Sequence, residues 1–247
     1  MRDRFGSDDL YRRGVETLLA SWEEYARGAT GAAVRRPPGV AAAVFPDEPE
    51  RAVYNNAFLE PDLPAGGRAD ALEAIEAVYA AAGVGHFAAW VHESDQAMRG
   101  DLRRRGYTVA ESTRAMGMAL DDLGPPRPRV ELGPPDWSRY LRILGVPPGF
   151  LAGADPAAYH LLIARLDGED VAAAMAFDHG GDCGIYNVGT LAHARRRGLG
   201  TALTAALLHD ALARGCRTAS LQSTPMAERM YAAVGFRDLG RILEYVP

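Results

Sequence analysis

The 247 residues, 48% hydrophobic and 24% charged, have the balance of a folded chain with room for one large domain or two modest ones, which excludes a disordered segment. A formal net charge of −5 argues against a nucleic-acid partner bound through a broad basic surface. No apolar run approaches the roughly 18 residues of a membrane span, so no membrane partner is expected.

Every basic side chain is arginine, read first as compositional bias, although arginine also suits bidentate phosphate contacts. Cys183 and Cys216 are too few for a disulfide framework or a four-cysteine zinc site. The opening Met-Arg-Asp-Arg-Phe-Gly-Ser-Asp-Asp is polar where a signal peptide needs an apolar core. These features together predict a cytoplasmic setting.

In chain order, the first half shows a helix over 69–82 stopped by Gly83, a strand over 87–92 and a helix running to Arg104. His92-Glu93-Ser94-Asp95-Gln96 begins like a zinc-protease helix, but Gln96 stands where the second histidine must be, so no metal is predicted. Gly124-Pro125-Pro126-Arg127-Pro128 cannot continue a helix or an interior strand, which places a domain boundary between 1–124 and 125–247.

The second half opens with a helix around 135–144. Strands over 159–166 and 171–177 follow, joined by Asp167-Gly168-Glu169-Asp170, a strong hairpin signal. Gly180-Gly181-Asp182 turns the chain into a third strand over 184–190. Ala202, Leu203, Ala206, Leu207 and Ala211 recur at helical spacing over 200–214, with Gly215 placed as a C-terminal cap. A buried strand over 218–222, a helix over 226–233 and a strand over 236–246 complete a mixed α/β layer arrangement.

The first half repeats the end of this plan. Gly106-Tyr107 matches Gly235-Phe236 at a displacement of 129 (235 − 106), and Tyr54-Asn55 matches Tyr186-Asn187 at 132 (186 − 54). These matches predict an internal duplication. Subtracting 129 puts Leu102 in the place of Tyr231 and Ala69-Asp70-Ala71 in the place of Gly198-Leu199-Gly200.

The third strand of the second half is followed by Arg195-Arg196-Arg197-Gly198-Leu199-Gly200 and then a helix. That order builds an anion site, because unpaired amides and the positive end of the helix dipole face outward and glycine lets the ligand approach. A solvated basic turn is the alternative for the segment alone. A P-loop is excluded by the absence of lysine, and a dinucleotide fingerprint by Leu203 where its third small residue belongs. No Gly-x-Ser-x-Gly nucleophile elbow occurs.

Arg195-x-x-Gly198-x-Gly200, preceded by Val188-Gly189-Thr190 and followed by Thr201-Ala202-Leu203, resembles the cofactor loop of the GCN5-related N-acetyltransferases (GNAT). Ala227-x-x-x-Tyr231-x-x-x-Gly235-Phe236 resembles that family's later helix and Gly-Phe turn. The resemblance implies a mixed, mostly antiparallel central sheet flanked by helices, duplicated here. Residues 1–124 would be a degenerate copy without a cofactor loop, and 125–247 the catalytic domain. It further implies acetyl-CoA as co-substrate, no metal, and transfer of the acetyl group to a primary amine by direct attack.

What the family does with these positions carries over as follows. Main-chain groups of Val188, Gly189 and Thr190 would take the pantetheine arm as an added strand. The pyrophosphate would lie on Arg195, Arg196, Arg197, Gly198, Leu199, Gly200 and Thr201. Tyr231 would be the acid that protonates the leaving thiolate, the alternative being a core aromatic. Ser223-Thr224-Pro225 stands where the family commonly has an asparagine, so Ser223 either touches the cofactor or caps the next helix.

The base stays open among His160, Asp178, His179, Glu228 and a water chain. Asn187 either orients substrate or bonds to its own backbone. The acceptor, a small-molecule or peptide amine, would be held by the 135–144 helix and the segment 150–159, with the first half left open as a third contributor. A homodimer is left open. Two other readings stand beside catalysis: a non-catalytic acyl-CoA-binding sensor module and a purely structural domain.

Overall fold

A computed structural model describes residues 5–47, 54–124, 127–146 and 153–247. In chain order it contains α1 (Ser7–Arg27), β1 (Ala33–Arg35), β2 (Val40–Val44), β3 (Asn56–Leu59), α2 (Ala65–Ala81), β4 (Ala88–His92), α3 (Gln96–Arg104) and β5 (Thr108–Ala119). Then come β6 (Leu132–Gly133), α4 (Trp137–Leu144), β7 (His160–Leu166), β8 (Glu169–His179), β9 (Asp182–Thr190), α5 (Leu199–Arg214), β10 (Thr218–Ser223), α6 (Glu228–Val234) and β11 (Arg237–Val246). No helix among the described residues is long and apolar enough to cross a membrane.

The chain forms two compact units, and each is assembled from two segments. One holds Met1–Ser21 with Ala115–Leu239, the other Trp22–Arg114 with Gly240–Pro247. A single cut at residue 124 therefore does not describe them: most of α1 and the end of β5 belong with the second half, and the end of β11 belongs with the first. Part of the linker, residues 125–126, lies outside the described residues, as do 150–152 of the segment expected to help hold the acceptor.

In the unit containing 22–114, β1, β2, β3, β4 and β11 lie side by side in that order. All neighbours are antiparallel except β3 and β4, which run parallel. Leu72, Ile75 and Tyr79 of α2 and Met98 and Leu102 of α3 join Val40, Ala57, Leu59, Ala89 and Val91 in one sealed core. Each large apolar side chain removed from water there contributes about 1.5–3 kcal/mol.

In the other unit the order is β5, β10, β9, β8, β7, β6, with β9 and β10 parallel and the β6–β7–β8–β9 run antiparallel. Its two hairpin turns behave as their sequences demand. Asp167 and Gly168 both have positive φ (51° and 83°), as do Gly180 and Gly181 (55° and 77°), the backbone of a two-residue turn that matches strand twist. Leu203, Leu207, Leu208 and Ala211 of α5 pack with Ala172, Ala174, Ile185, Ala219 and Leu221. Gly215 caps that helix at φ 100°. Cys183 and Cys216 are buried, unbridged members of this core.

The second unit also contains a sealed polar network. Asp182, 1% exposed, accepts hydrogen bonds from Thr218 Oγ1 at 2.6 Å and Ser220 Oγ at 2.7 Å. Arg13 of α1 donates to Thr218 Oγ1 and to the Gly180 carbonyl, each at 2.9 Å. Burial pushes the Asp182 carboxyl up, against these hydrogen bonds. We expect Asp182→Ala to destabilise the protein by about 1–3 kcal/mol in chemical denaturation, because two sealed hydroxyls lose their acceptor. The wild-type carboxyl binds its proton more readily folded than unfolded. Its contribution to stability is therefore full below the ordinary carboxylate range and declines as pH rises through the raised value.

Candidate active site

Strand β9 carries the site. It pairs with β8 over nearly its whole length, but with β10 only at Asp182, Cys183 and Gly184 opposite Thr218, Ala219 and Ser220. Beyond Gly184 the parallel ladder stops although β9 continues to Thr190 and β10 to Ser223. The strands thus part, leaving β9 an inner edge of peptide groups that can add an extended chain.

A bulge lies on the opened stretch. Ala173 pairs with Gly189 and Met175 with Tyr186, so Asn187 and Val188 face Ala174 alone. Asn187 takes a φ of +50°, a left-handed conformation that asparagine tolerates better than most residues. It is exposed, and its polar neighbour is the buried Tyr140 hydroxyl of α4, which burial pushes up and Asn187 partly brings back. The last turn of α4 lies directly on β9: a Cβ at Gly189 would stand 2.6 Å from Leu144 Cδ2.

Past Thr190, Leu191 N donates to the Val171 carbonyl at 2.8 Å and the chain turns through Ala192–Ala194. Arg196 and Gly198 both have positive φ, 62° and 76°. The first intrahelical bond of α5 runs from Ala202 N to Gly198 O at 2.9 Å, and no side chain caps the helix. The amides of Leu199, Gly200 and Thr201 are therefore left for a ligand or water. Arg195, Arg196 and Arg197 are exposed, and Arg195 Nε donates to the Thr190 carbonyl at 3.1 Å. Among the described residues no carboxylate pairs with any of the three. A Cβ at Gly198 would meet nothing within 4 Å.

Helix α6 flanks this end. Met230 Sδ lies 3.2 Å from where a Gly200 Cβ would be. The Tyr231 ring is 7% exposed and meets Phe236 edge-on at 5.9 Å. Its hydroxyl has no hydrogen-bond partner among the described residues, and burial pushes its pKa up to about 12. Ser223 is 1% exposed and donates to the Thr224 carbonyl at 2.9 Å. It does not cap α6, whose N-cap is Ala227 without a side-chain bond.

The candidate bases separate by position. Asp178 pairs with Cys183 and His179 with Asp182, seven residues from Thr190 (190 − 183), or about 20 Å along the strand. Asp178 is also committed to Arg214, whose Nε and second guanidinium nitrogen donate at 2.6 and 2.9 Å. Burial opposes its ionisation most strongly, yet the Arg214 guanidinium holds the carboxyl below its ordinary value. His160 Nε2 lies 3.4 Å from the same carboxylate, and burial first, then Arg214, lowers its pKa. Only Glu228 shares an element with Tyr231, one helical turn before it.

Residues 121–236 match the family model described as "Acetyltransferase (GNAT) family". The chain carries a GNAT-family domain. The whole chain is also similar in fold to a GCN5-related N-acetyltransferase from Kribbella flavida, at 21% identity and a TM-score of 0.71, covering 96% of this chain and 95% of that one. A GCN5-related N-acetyltransferase from Sphaerobacter thermophilus is similar at 18% identity and a TM-score of 0.65, with 94% and 84% covered. A tandem GNAT protein from the clavulanic acid biosynthesis pathway is similar at 14% identity and a TM-score of 0.59, with 98% and 96% covered. No curated relative matches the sequence.

The first half runs through β2, β3, α2, β4, α3 and β5 where the second runs through β8, β9, α5, β10, α6 and β11. β3 and β4 pair at Asn56, Ala57 and Phe58 opposite Ala88, Ala89 and Trp90, three of the four residues of β3, so no edge opens. Leu102 stands in the place of Tyr231: Tyr107 N donates to the Leu102 carbonyl as Phe236 N does to that of Tyr231, each at 3.1 Å. One correspondence shifts. The helices after the loop begin at 65 and 199, a displacement of 134 (199 − 65), so Gly198-Leu199-Gly200 correspond to Pro64-Ala65-Gly66. Ala69-Asp70-Ala71 lie inside α2. Glu60 and Asp62 precede that helix where the GNAT loop has arginines.

The contribution of α4 was not assigned residue by residue from sequence. The signals were there: Asp136 caps it by accepting from Arg139 N at 2.8 Å, and Gly145 ends it at φ 69°.

Proposed function

We propose that this GNAT protein is an acetyl-CoA-dependent N-acetyltransferase that acts on a primary amine, with its one active site in the second half and a degenerate GNAT-like copy in the first. Acyl transfer is the chemistry of the family. The parting of β9 from β10 beside the uncapped start of α5 carries the assignment to this site.

The residues present fit the ligand. The β9 edge from Val188 to Thr190 offers main-chain donors and acceptors to the pantetheine amides. The amides of Leu199, Gly200 and Thr201, with Arg195, Arg196 and Arg197 beside them, offer the charge and geometry that a pyrophosphate needs. Gly198 leaves that approach open. Acetyl-CoA, when bound, supplies an acyl group activated as a thioester.

Tyr231 keeps its proton at Oη at neutral pH, and its ring is held between Phe236 and the core. Its hydroxyl donates a hydrogen bond that strengthens as negative charge develops beside it. Ser223, with its hydroxyl turned to the Thr224 carbonyl, supports the strand end rather than donating to the ligand. We expect Tyr231→Phe to lower turnover by about 100-fold while leaving acetyl-CoA affinity intact by calorimetry. Full turnover would remove the acid role.

A second reading is that of a non-catalytic acyl-CoA sensor, favoured by the absence of any charged base sealed beside Asn187 among the described residues. It predicts acetyl-CoA binding with no thiol released in the presence of amines.

A further inference from the structure

The segment His92-Glu93-Ser94-Asp95-Gln96, which lacks the second histidine of a zinc helix, forms a turn: β4 ends at His92 and α3 starts at Gln96. In that turn the Ser94 hydroxyl, exposed to solvent, lies 2.6 Å from His92 Nδ1. The Ser94 amide donates to the same nitrogen at 3.3 Å. An amide N–H can only donate, so Nδ1 carries a lone pair and the proton of the neutral imidazole is on Nε2. The hydroxyl is therefore the donor of the shorter bond, and its oxygen stays open to solvent.

The pair is held from several sides, all within the unit containing 22–114. Glu93 N donates to the Arg241 carbonyl, and Glu93 Oε1 accepts from Arg241 N, each at 2.8 Å. Asp95 N donates to the His92 carbonyl at 3.0 Å, and the Asp95 carboxylate caps α3 by accepting from Met98 N at 2.9 Å. The imidazole lies against bare backbone at Gly240, where φ is 95° and a Cβ would stand 2.2 Å from Nε2. Gln96 N donates to the Ser94 carbonyl at 2.9 Å, so in the first turn of α3 the Ala97 amide is left for a ligand or water. The backbone bonds already close this turn. The hydroxyl bond adds something else, an exposed oxygen coupled to a base, which is the arrangement that activates a nucleophile.

We propose that Ser94 is a nucleophile with His92 as its base, and that it takes an acyl group from small aryl esters. This activity is separate from amine acetylation and does not rest on that reading. Ser94 Oγ attacks the ester carbonyl as its proton passes to His92 Nδ1. The Oγ–C bond forms, the bond from the carbonyl carbon to the aryloxy oxygen breaks, and the departing oxygen takes the proton from the imidazolium. The products are acyl-Ser94 and a phenol. The Ala97 amide and the positive end of α3 favour negative charge on the carbonyl oxygen. Nothing else in the turn assists the leaving group, which restricts the donors to esters of acidic alcohols such as phenols.

The test is incubation of the full chain with p-nitrophenyl acetate, followed by release of p-nitrophenol and mapping of acetylated peptides by mass spectrometry. No lysine competes for the label. The expected result is a burst of p-nitrophenol equal to the protein concentration and an acetyl group on Ser94, with the exposed Ser7 and Ser138 unmodified. Ser94→Ala, which removes an exposed hydroxyl, should lose the burst. His92→Gln should slow labelling of Ser94 by about 100-fold, the scale of general-base assistance. Gly198→Asp should label at the wild-type rate, which separates this site from the acetyl-CoA loop. Wild-type protein with no acetyl group on Ser94, or with Ser7 and Ser138 labelled as fast, would overturn the proposal, as would unchanged labelling of Ser94 in His92→Gln. Should His92→Gln fail to melt cooperatively, the comparison of Ser94 with Ser7 and Ser138 in the wild-type protein decides.

Discussion

Gly198→Asp is expected to abolish acetyl-CoA binding measured by calorimetry, while the thermal transition of the folded protein moves by only a few degrees. Two effects act together. The residue sits at φ 76°, where any side chain is strained by about 1–2 kcal/mol. Its Cβ would project into open space in front of the α5 amides, so the new carboxylate would stand where a phosphate has to come. Two like charges about 4 Å apart near a protein surface repel by about 4 kcal/mol, roughly a thousandfold in affinity. Gly198→Ala separates the two: it carries the strain but no charge, and is expected to weaken binding about tenfold. Unchanged affinity in Gly198→Asp would move the ligand away from this loop.

The fragment 125–247, cut at the Gly-Pro linker, is expected to fail to fold. The unit that bears the site includes Met1–Ser21 and Ala115–Leu239, and what the cut removes is buried. Leu10 and Thr17 are 1% and 0% exposed, and Met116, Met118 and Leu120 are 3%, 3% and 0%. Arg13 would leave Thr218 and the Gly180 carbonyl, and β10 would lose β5 as its neighbour. Losing several buried large side chains at about 2–5 kcal/mol each exceeds the 5–15 kcal/mol by which a domain is ordinarily stable. Circular dichroism of the fragment should show no cooperative melt, against a clear one for the full chain. A cooperative melt with bound acetyl-CoA would restore the linear boundary at 124.

Local signals in the sequence were good guides to local structure. Asp167-Gly168 and Gly180-Gly181 name their own turns, because only such pairs adopt two positive φ values cheaply. The α5 helix is bounded by Gly198 and Gly215 within a residue of its expected span. Helix α1 carries a start signal of its own, since Ser7-Asp8-Asp9 opens it with the acidic first turn that helices favour.

What could not be read was non-local. Nothing in the order of residues says that β11 pairs with β4, Glu244 opposite Trp90, since strand pairing depends on partners distant in the chain. The parting of β9 from β10 came only from the resemblance, because Ile185 to Thr190 look like any buried strand. The bulge at Asn187 depends on the register with β8. The candidate bases looked equivalent in sequence, yet the register sends Asp178 and His179 to the far end of β9, and the Arg214 pairing then fixes Asp178 there.

The most direct test of the account is thiol release from acetyl-CoA by the full chain across a panel of primary amines, run beside Gly198→Asp. The account predicts amine-dependent release by the wild-type protein and none above background by the variant. Tight acetyl-CoA binding by the wild-type protein with no thiol released by any amine would contradict it, and would leave the loop as the binding site of a sensor.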